Sequence, residues 1–283
     1  MTKKPNWLVR AAIYAGLVAL VAIVLYPVML VCKKAFEPGP NFALSASPVP
    51  HDLTLAHFHD LFGARGGSGE LLFVRQTLNS IVVSLLTTVV GVALSCTAAY
   101  ALSRFKFPGR GAGLTTFLVV QMFPSTLLLL PLYVILDKLH LLNSIAGLVL
   151  VYSTTAIPFC VWTLKGYFDT LPRELEEAAR IDGASQWMIF RRIILPLATP
   201  GIAITALFSF MTAWNEFIMA STFMTNESRY TLPVLIQSSV GQYASDYGLF
   251  AAGAVVTSLP VMILFYVLQK YLVGGLTAGA VKG

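Results

Sequence analysis

Charge is scarce in this 283-residue sequence: Asp, Glu, Lys and Arg make up only 11% of the residues, while hydrophobic residues make up 57%. Soluble domains carry about 25% charged residues, so the composition argues against a soluble protein. Cysteine is also scarce, and Cys32, Cys96 and Cys160 have neither the even number of a disulfide framework nor the spacing of a metal site. Since uncharged runs of about twenty residues recur along the chain, we predict an all-α polytopic membrane protein.

The motifs of common catalytic sites are missing as well. No Gly-Lys dipeptide occurs, which excludes a Walker A phosphate loop, and neither a G-x-S-x-G elbow nor an H-E-x-x-H zinc motif is present. His57 and His59 are the candidate metal ligands, but two histidines without partners are more typical of a solvated surface than of a metal site. We therefore predict that the chain is not an enzyme and has no catalytic residues, no metal site and no bound cofactor.

Six hydrophobic runs predict six transmembrane helices. They cover residues 11–31, 78–102, 112–136, 145–164, 200–224 and 249–268, and the last is expected to end near Val273. The fifth run is expected to be broken at Asn215-Glu216. Four prolines (Pro124, Pro131, Pro158 and Pro260) are expected to interrupt helices. The chain thus divides into a first helix with an external loop (1–76), a transmembrane core (77–273) and a short flexible tail (274–283). A short interfacial helix is expected in the external loop, over residues 52–62.

Basic residues predict the orientation of these helices. If both termini lie on one side of the membrane, that side carries 13 lysines and arginines and the other side carries six. Cytoplasmic loops are enriched in basic residues, so both termini are predicted to be cytoplasmic. Lys33 and Lys34 oppose this orientation locally, but the sum over all loops outweighs them.

The longest charged segment between hydrophobic runs covers residues 169–196, DTLPRELEEAARIDGASQWMIFRRIILP. Pro172 suits the first turn of a helix, and the glutamates after it (Glu174, Glu176 and Glu177) suit the positive end of the helix dipole. Gly183 can end this helix in a left-handed conformation, and Ser185 can cap a second helix. The segment therefore predicts two short helices joined by a glycine turn, outside the bilayer.

Apolar residues indicate how the two short helices pack. In the first, Leu175, Ala178 and Ala179 lie at i, i+3 and i+4, so we expect them to share a mildly apolar face. In the second, five residues are expected to supply apolar contacts: Trp187, Ile189, Phe190, Ile193 and Ile194. Pro196 and Pro200 then mark the entry to the next membrane span.

The spacing within this segment carries a resemblance to a known family. Glu177-Ala178-Ala179 is followed after three residues by Gly183, after nine more by Ile193, and after one more by Leu195-Pro196. This pattern resembles the EAA loop of bacterial ABC importer permeases, which implies a type I permease fold. In that family the first helix of the loop docks onto a cytoplasmic ATPase. The alternative is an ordinary amphipathic hairpin that lies on the membrane surface.

The resemblance implies roles for five docking residues. Glu177 is expected to make the charged contact with the ATPase, and Ala178 and Ala179 to permit its close approach. Asp182 and Gly183 are expected to form the turn at the end of the docking helix.

The resemblance extends to segments outside the loop. Residues 121–124 (QMFP), 165–168 (KGYF), 275–279 (GLTAG) and 281–283 (VKG) are similar to permeases of maltose/maltodextrin transporters. This implies a protein of the bacterial inner membrane with three kinds of partner: a MalF-like second permease, two copies of a cytoplasmic ATPase that uses ATP-Mg, and an external sugar-binding protein. Another oligosaccharide such as trehalose is the alternative substrate. An ion-coupled secondary sugar carrier is the alternative class, although no convincing internal repeat supports it.

Polar residues inside the predicted spans are candidates for a translocation path. Glu216, late in the fifth run and next to Asn215, is the most conspicuous, because a carboxylate is costly in lipid and should face the bundle interior or water. It either lines the path or fixes helix packing through a hydrogen bond. Gln121 and Ser153 are weaker candidates, because polar side chains in membrane helices often contact neighbouring helices.

Overall fold

The computed structural model describes residues 7–41, 47–67, 69–241 and 245–280. Helix dominates these ranges and no β-strand forms in them, so the all-α prediction is confirmed; Val240 and Ser245 make an isolated bridge. The α-helices are α1 (Trp7–Phe36), α2 (Ala56–Gly63), α3 (Leu72–Arg104), α4 (Arg110–Met122), α5 (Leu129–Lys138), α6 (Ile145–Thr170), α7 (Glu174–Ile181), α8 (Gln186–Ile189), α9 (Leu195–Leu197), α10 (Thr199–Trp214), α11 (Ile218–Phe223), α12 (Leu232–Ser238) and α13 (Tyr247–Ala280). Short 3-10 turns cover Ser125–Leu128 and Glu227–Arg229, and a π turn covers Phe190–Ile194.

Four helices are long and apolar enough to cross a membrane: α1, α3, α6 and the Tyr247–Tyr271 part of α13. Two further candidates are pairs of helices that are bent at a short break. One pair joins α4 to Ser125–Lys138 at 97°, and the other joins Gln186–Leu197 to α10 at 77°. If each bent pair is one span, the total is six, which agrees with the six runs predicted from the sequence.

The prolines affect the helices less than the sequence indicates. Pro124 lies at a break, between α4 and the 3-10 turn, and Pro131 lies in the first turn of α5, where its missing N–H costs little. Pro158 and Pro260 lie inside the continuous helices α6 and α13, so the predicted interruptions are wrong at these two positions. A proline removes one backbone hydrogen bond, and a long apolar helix keeps the others.

The last two predicted spans differ in how well they match the structure. The fifth run is broken at Asn215-Glu216, as the sequence predicts, because α10 ends at Trp214 and α11 begins at Ile218. The last helix continues to Ala280 instead of ending near Val273, so the predicted flexible tail is helical as far as residue 280, and residues 281–283 lie outside the described ranges. No proline or charge occurs in residues 274–280, so helical hydrogen bonding continues there despite the glycines.

One compact unit comprises residues 1–65 and 236–259. Its small apolar core contains Ala35 of α1 together with two alanines of α13, and Phe36 and Phe58 pack beside it with their ring centroids 5.0 Å apart. The interfacial helix predicted over residues 52–62 is present as α2.

His57 of α2 differs from its predicted state. It is buried, and its Nε2 lies 3.0 Å from the carbonyl oxygen of Glu37. A Cβ atom added at Gly248 would overlap its ring, so the histidine fits against bare backbone. The expectation of a solvated side chain is therefore wrong for His57, while His59 is exposed as expected.

The other unit comprises residues 66–235 and 260–283, and α3, α6 and α10 pack together to form its core. A first hydrophobic cluster contains the fully buried Tyr152 of α6 together with residues of α3 and α11. A second cluster contains Tyr100 of α3 and Phe168 of α6 together with buried residues that follow α7. This second cluster positions the charged segment described next.

Candidate functional site

The charged segment folds into a pair of short helices, which we call the polar hairpin (residues 173–197). Its first helix, α7, ends at a glycine as predicted, since Gly183 has φ of +83°. The Gly183 N–H donates to the carbonyl of Arg180 at 3.0 Å, and the Ala184 N–H donates to the carbonyl of Ala179 at 2.9 Å. These two bonds form a Schellman motif, which satisfies carbonyl groups at the helix end and reverses the chain.

The second helix of the hairpin starts with α8 and continues through the π turn and α9. Ser185 caps it as predicted, because its Oγ accepts a hydrogen bond at 3.3 Å from the backbone N–H three residues later. Ile189, Phe190 and Ile194 are buried in the second cluster. Trp187 is 63% exposed, and its ring centroid lies 5.5 Å from that of Phe190. Trp187 therefore covers the edge of the cluster instead of entering it.

Helix α7 has an inner and an outer face. Glu176 is buried and Ala179 is half-buried against the second cluster, three residues further on. The outer face consists of exposed residues at i, i+3, i+4 and i+7: Glu174, Glu177, Ala178 and Ile181. Leu175, Ala178 and Ala179 lie on one side of the helix, as their spacing predicts, but Ala179 packs against the second cluster while Leu175 and Ala178 are exposed.

Glu176 makes the strongest contact between the hairpin and the rest of the unit. Its Oε1 accepts a hydrogen bond from Arg104 Nε at 2.5 Å, and its Oε2 accepts one from the Tyr100 hydroxyl at 3.0 Å. Arg180 Nη2 lies 3.8 Å from the same Oε2. The side chains of Arg104 and Glu176 are only 4% and 3% exposed, and buried charges are tolerated when they are paired and hydrogen-bonded in this way.

The contact between Glu176 and Arg104 was not predicted from the sequence. One signal was available: Glu176 lies three residues before Ala179, so both lie on one face of the helix. The partner, Arg104, is the last residue of α3 and lies 72 positions earlier in the chain, a separation that no local pattern reveals.

Further hydrogen bonds join the same end of α3 to its surroundings. Arg104 Nη2 donates to the carbonyl of Leu171 at 3.1 Å, and Arg173 Nη2 donates to the carbonyl of Ser103 at 3.3 Å. The Ser103 hydroxyl donates to Asp169 Oδ1 at 2.7 Å. The end of α3 is therefore connected to α6 and to the hairpin by directional bonds as well as by apolar packing.

A small cleft of about 70 Å³ opens beside the buried pair, lined by Arg104, Arg173, Glu176, Glu177 and Arg180. The carboxylate of Glu176 is engaged there by Arg104. Glu177 is exposed, and within the described ranges its carboxylate makes no ion pair. The outer face of α7 thus presents a negative charge that has no partner inside the described part of the chain.

Large apolar side chains are exposed on the same hairpin. Ile181 is 86% exposed and Trp187 is 63% exposed, and Leu175 and Met188 are exposed too. Exposed apolar surface of this kind favours a protein contact site. Trp187 was predicted to supply apolar contacts within the chain, and the exposure of Ile181 was not predicted.

Glu216 lies in the break between α10 and α11, where the sequence predicts an interruption of the fifth span. Its Oε1 accepts a hydrogen bond from the Met219 N–H at 2.8 Å. Its Oε2 accepts bonds from the Ala220 N–H at 3.0 Å and from the Tyr152 hydroxyl at 2.8 Å. These bonds satisfy backbone donors of the first turn of α11 and hold the break against α6, as the hydrogen-bonding alternative expected.

The structure separates the four candidates for a translocation path. Asn215 is exposed, and with Glu216 it lines an open cavity of about 590 Å³ whose other lining residues are Phe208, Met211, Thr212, Phe217 and Ile218. Gln121 and Ser153 are not among the lining residues of this cavity. Gln121 is exposed near the end of α4, and Ser153 is buried in α6.

Known proteins share both the sequence and the fold of this chain. Residues 91–277 match the family described as binding-protein-dependent transport system inner membrane component. The galactooligosaccharide transport permease GanQ of Bacillus subtilis (strain 168) is 39% identical over 95% of this chain and 94% of its own length. The maltose/maltodextrin permease MalG of Vibrio vulnificus (strain YJ016) is 38% identical over 96% of this chain and 95% of its own.

A solved structure resembles the chain as well. It is described as a bacterial ABC transporter involved in the import of the acidic polysaccharide alginate, and it covers 96% of this chain and 99% of its own with a TM-score of 0.76. Its sequence identity is 21%, so this likeness concerns the fold. The family match includes the whole polar hairpin, and the relatives are similar over nearly their full length. The chain therefore belongs to the family of binding-protein-dependent transport system inner membrane components, and it is a multi-pass protein of the inner membrane.

Proposed function

We propose that this chain is a permease subunit of an ATP-driven ABC importer that moves oligosaccharides of the maltose/maltodextrin type across the cytoplasmic membrane by alternating access. The observation that carries the proposal is the outer face of α7, where Glu177 and Ala178 are exposed on a hairpin that is fixed to α3. An exposed, unpaired carboxylate on a firmly held helix is suited to bind a separate protein. ATP-Mg is then used by that protein, and this chain needs no cofactor of its own.

A cytoplasmic ATPase is the proposed occupant of the outer face. Glu177 supplies the charged contact, and the methyl side chain of Ala178 allows the ATPase surface to approach the helix closely. Asp182 and Gly183 end α7, so that the second helix of the hairpin leaves the outer face of α7 accessible. The resemblance implied that Ala179 permits close approach of the ATPase. Its small side chain instead lets α7 pack closely against the second cluster.

The exposed apolar side chains beside this face supply contact area. Ile181 and Trp187 would lose their exposure to water on docking, and interface cores are enriched in such apolar and aromatic residues. The charge then sets the orientation of the two proteins, and the apolar surface contributes most of the binding energy.

The assembly proposed around this chain has four further subunits. A MalF-like second permease completes the membrane part, two copies of the ATPase dock in the cytoplasm, and an external sugar-binding protein delivers the substrate. The excess of lysine and arginine on the side of the termini supports a cytoplasmic position for both termini and for the polar hairpin.

Transport follows from the movement of the hairpins. ATP closes the ATPase dimer and draws the docked hairpins together. Because the polar hairpin is bonded to the end of α3, this movement reaches the membrane helices and switches the central cavity from inward-facing to outward-facing. The binding protein then releases sugar into the cavity, and ATP hydrolysis restores the inward-facing state.

A substrate-path role is proposed for Asn215, which is exposed at the cavity beside the break after α10. Its amide can donate and accept hydrogen bonds with sugar hydroxyl groups. Glu216 is assigned the supporting role, because its carboxylate oxygens already accept bonds from Tyr152 and from the backbone of α11.

Two classes of sugar are candidates for the substrate, and each is supported by its own observations. The QMFP segment and the C-terminal GLTAG and VKG segments support a maltodextrin-type substrate, as does the similarity to MalG. The similarity to GanQ favours galactooligosaccharides as the second candidate. Both are neutral chains of hexoses, so the same arrangement of subunits suits either.

An ion-coupled secondary carrier is the rival class. Such a protein needs an ionisable group that can bind and release its coupling ion within the membrane. Glu216 is poorly suited to this role, because each of its oxygens already accepts hydrogen bonds that hold α11. The exposed docking face of α7 also has no use in a carrier.

The test is sugar-dependent ATP hydrolysis by the complex that co-purifies with this chain, reconstituted in proteoliposomes with its binding protein. We expect hydrolysis to rise when the binding protein is loaded with maltodextrin. A rise with galactooligosaccharide alone would keep the importer and change the sugar. If no ATPase co-purifies under mild extraction, and sugar uptake follows an ion gradient, the importer proposal is wrong.

A further inference from the structure

We infer that Glu176 is a positioning residue for transport: its buried pair with Arg104 transmits the movement of the polar hairpin to α3. The inference rests on the proposed importer function and assigns a different role to each of two adjacent glutamates. Glu177 contacts the ATPase, whereas Glu176 holds α7 at a fixed angle to the membrane helix.

The geometry of the pair restrains both partners. Arg104 donates through Nε to Glu176 at 2.5 Å, through Nη1 to the Ser103 hydroxyl at 3.2 Å and through Nη2 to the carbonyl of Leu171 at 3.1 Å. The guanidinium is therefore fixed at each of its nitrogens. Glu176 is bound from the other side by the Tyr100 hydroxyl at 3.0 Å, and that hydroxyl in turn accepts a hydrogen bond from Gln186 of α8. Both helices of the hairpin thus connect to the last turn of α3.

Apolar packing alone would hold the hairpin without fixing its angle. The second cluster attaches it to α3 and α6 through side chains such as Phe190 and Ile194, and apolar contact has no preferred direction. The charge-assisted bonds of Glu176 are directional, and the side chains of Glu176 and Arg104 are almost fully buried. Loss of these bonds should therefore leave the hairpin attached but allow it to rotate when the ATPase pulls on it.

This reasoning predicts uncoupling, which differs from simple damage to the fold. A destabilised permease lowers the amount of active complex, so ATP hydrolysis and transport fall together and their ratio is unchanged. A permease without a firm connection still docks its ATPase and supports hydrolysis, but it moves less sugar per ATP. The ratio of sugar transported to ATP hydrolysed is therefore the decisive measurement.

The first experiment compares Glu176→Gln and Tyr100→Phe with wild type in proteoliposomes that contain the complete complex and binding protein. We expect Glu176→Gln to retain its ATPase and its basal hydrolysis while the sugar-to-ATP ratio falls about tenfold, and Tyr100→Phe to give a smaller fall, because it removes one hydroxyl. The control is Lys33→Met, which breaks a largely buried ion pair with Glu37 in the other compact unit and should leave the ratio unchanged. An unchanged ratio in Glu176→Gln would overturn the inference.

The second experiment replaces the pair by a covalent bridge. In Arg104→Cys/Glu176→Cys the polar bonds are absent, and the adjoining cleft gives a short bifunctional thiol reagent access to both sites. We expect uncoupled hydrolysis in the untreated variant and recovery of the sugar-to-ATP ratio after bridging. If bridging restores nothing, the pair has no positioning role. A wild-type complex that lacks an ATPase or shows no uptake would instead count against the importer function itself.

Discussion

Glu176 and Glu177 are adjacent in the sequence but lie in different surroundings on α7. The side chain of Glu176 is 3% exposed and lies 2.5 Å from Arg104 Nε, whereas Glu177 is exposed and makes no ion pair within the described ranges. Consecutive residues of a helix are about 100° apart around its axis, so two identical side chains reach different faces. One glutamate thereby connects the hairpin to α3, and the other remains available to a partner.

The outer-face glutamate gives the first prediction. We expect Glu177→Lys to abolish sugar uptake while the protein stays in the membrane, because the change reverses the exposed charge and touches no bond of the buried pair. Uptake, membrane abundance and co-purification of the ATPase are measured together. Asp137→Lys, at an exposed acid of α5, is the control and should leave uptake normal. Normal uptake in Glu177→Lys would remove the docking role.

The polar hairpin was largely predictable because its signals are local. A left-handed glycine and a serine cap act within a few residues, so Gly183 and Ser185 fixed the turn and the start of the second helix. The choice between inward and outward glutamates was not predictable. It depends on Arg104 at the end of a helix that lies 72 positions earlier.

The membrane helices show the same division between local and distant causes. Hydrophobic runs located the spans, because length and composition alone decide whether a segment suits a bilayer. Asn215-Glu216 also located the break in the fifth span, but the residue that holds Glu216 there was not predictable, because the Tyr152 hydroxyl comes from α6. Pro158 was wrongly predicted to interrupt its helix, because the rest of a long packed helix outweighs one missing hydrogen bond.

Two glycine-to-alanine substitutions, one of them in the turn of the hairpin, should change the stability of the protein in opposite directions. Gly183 has φ of +83° and no atom within 4 Å of an added Cβ, so Gly183→Ala should cost about 1–2 kcal/mol through backbone strain alone. Gly166→Ala, in the interior of α6 and equally free of contacts, should stabilise the protein by about 1 kcal/mol. Thermal unfolding of the purified complex measures both effects. Gly183→Asn should have a melting temperature near that of wild type, because asparagine tolerates the left-handed conformation. A wild-type melting temperature for Gly183→Ala would contradict the strain argument.

The break after α10 allows substrate binding to be separated from stability. Glu216→Ala removes a cap of α11 and leaves the buried Tyr152 hydroxyl without its acceptor, so we expect a loss of about 1–3 kcal/mol in stability. Asn215→Ala alters an exposed side chain at the cavity. It should raise the sugar concentration needed for half-maximal ATPase stimulation without changing thermal stability.

Melting temperature and the sugar concentration for half-maximal ATPase stimulation are measured for each variant. Together they test whether Asn215 binds sugar and Glu216 supports stability. Ser221→Ala, at an exposed residue of the neighbouring α11, is the control and should change neither quantity. If Asn215→Ala leaves the sugar response unchanged, Asn215 does not line the path. If Glu216→Ala instead alters the sugar response with full stability, the assignments of Asn215 and Glu216 must be exchanged.

The C-terminal segment gives the last prediction. We propose that residues 274–283 couple the permease to its ATPase. The described part of this segment, residues 274–280, is helical and about 10 Å long, whereas a fully extended chain of seven residues would span about 25 Å. Because α13 continues to Ala280, the segment is suited to contact the nearer ATPase surface as a helical extension. Deletion of residues 274–283 should therefore raise the ATP consumed per sugar while leaving the complex assembled.

Replacement of the same ten residues by a glycine–serine sequence should act like the deletion, since it removes the helix and keeps the length. Full coupling in the glycine–serine variant would mean that length alone matters, and full coupling after deletion would mean that the segment has no part in transport.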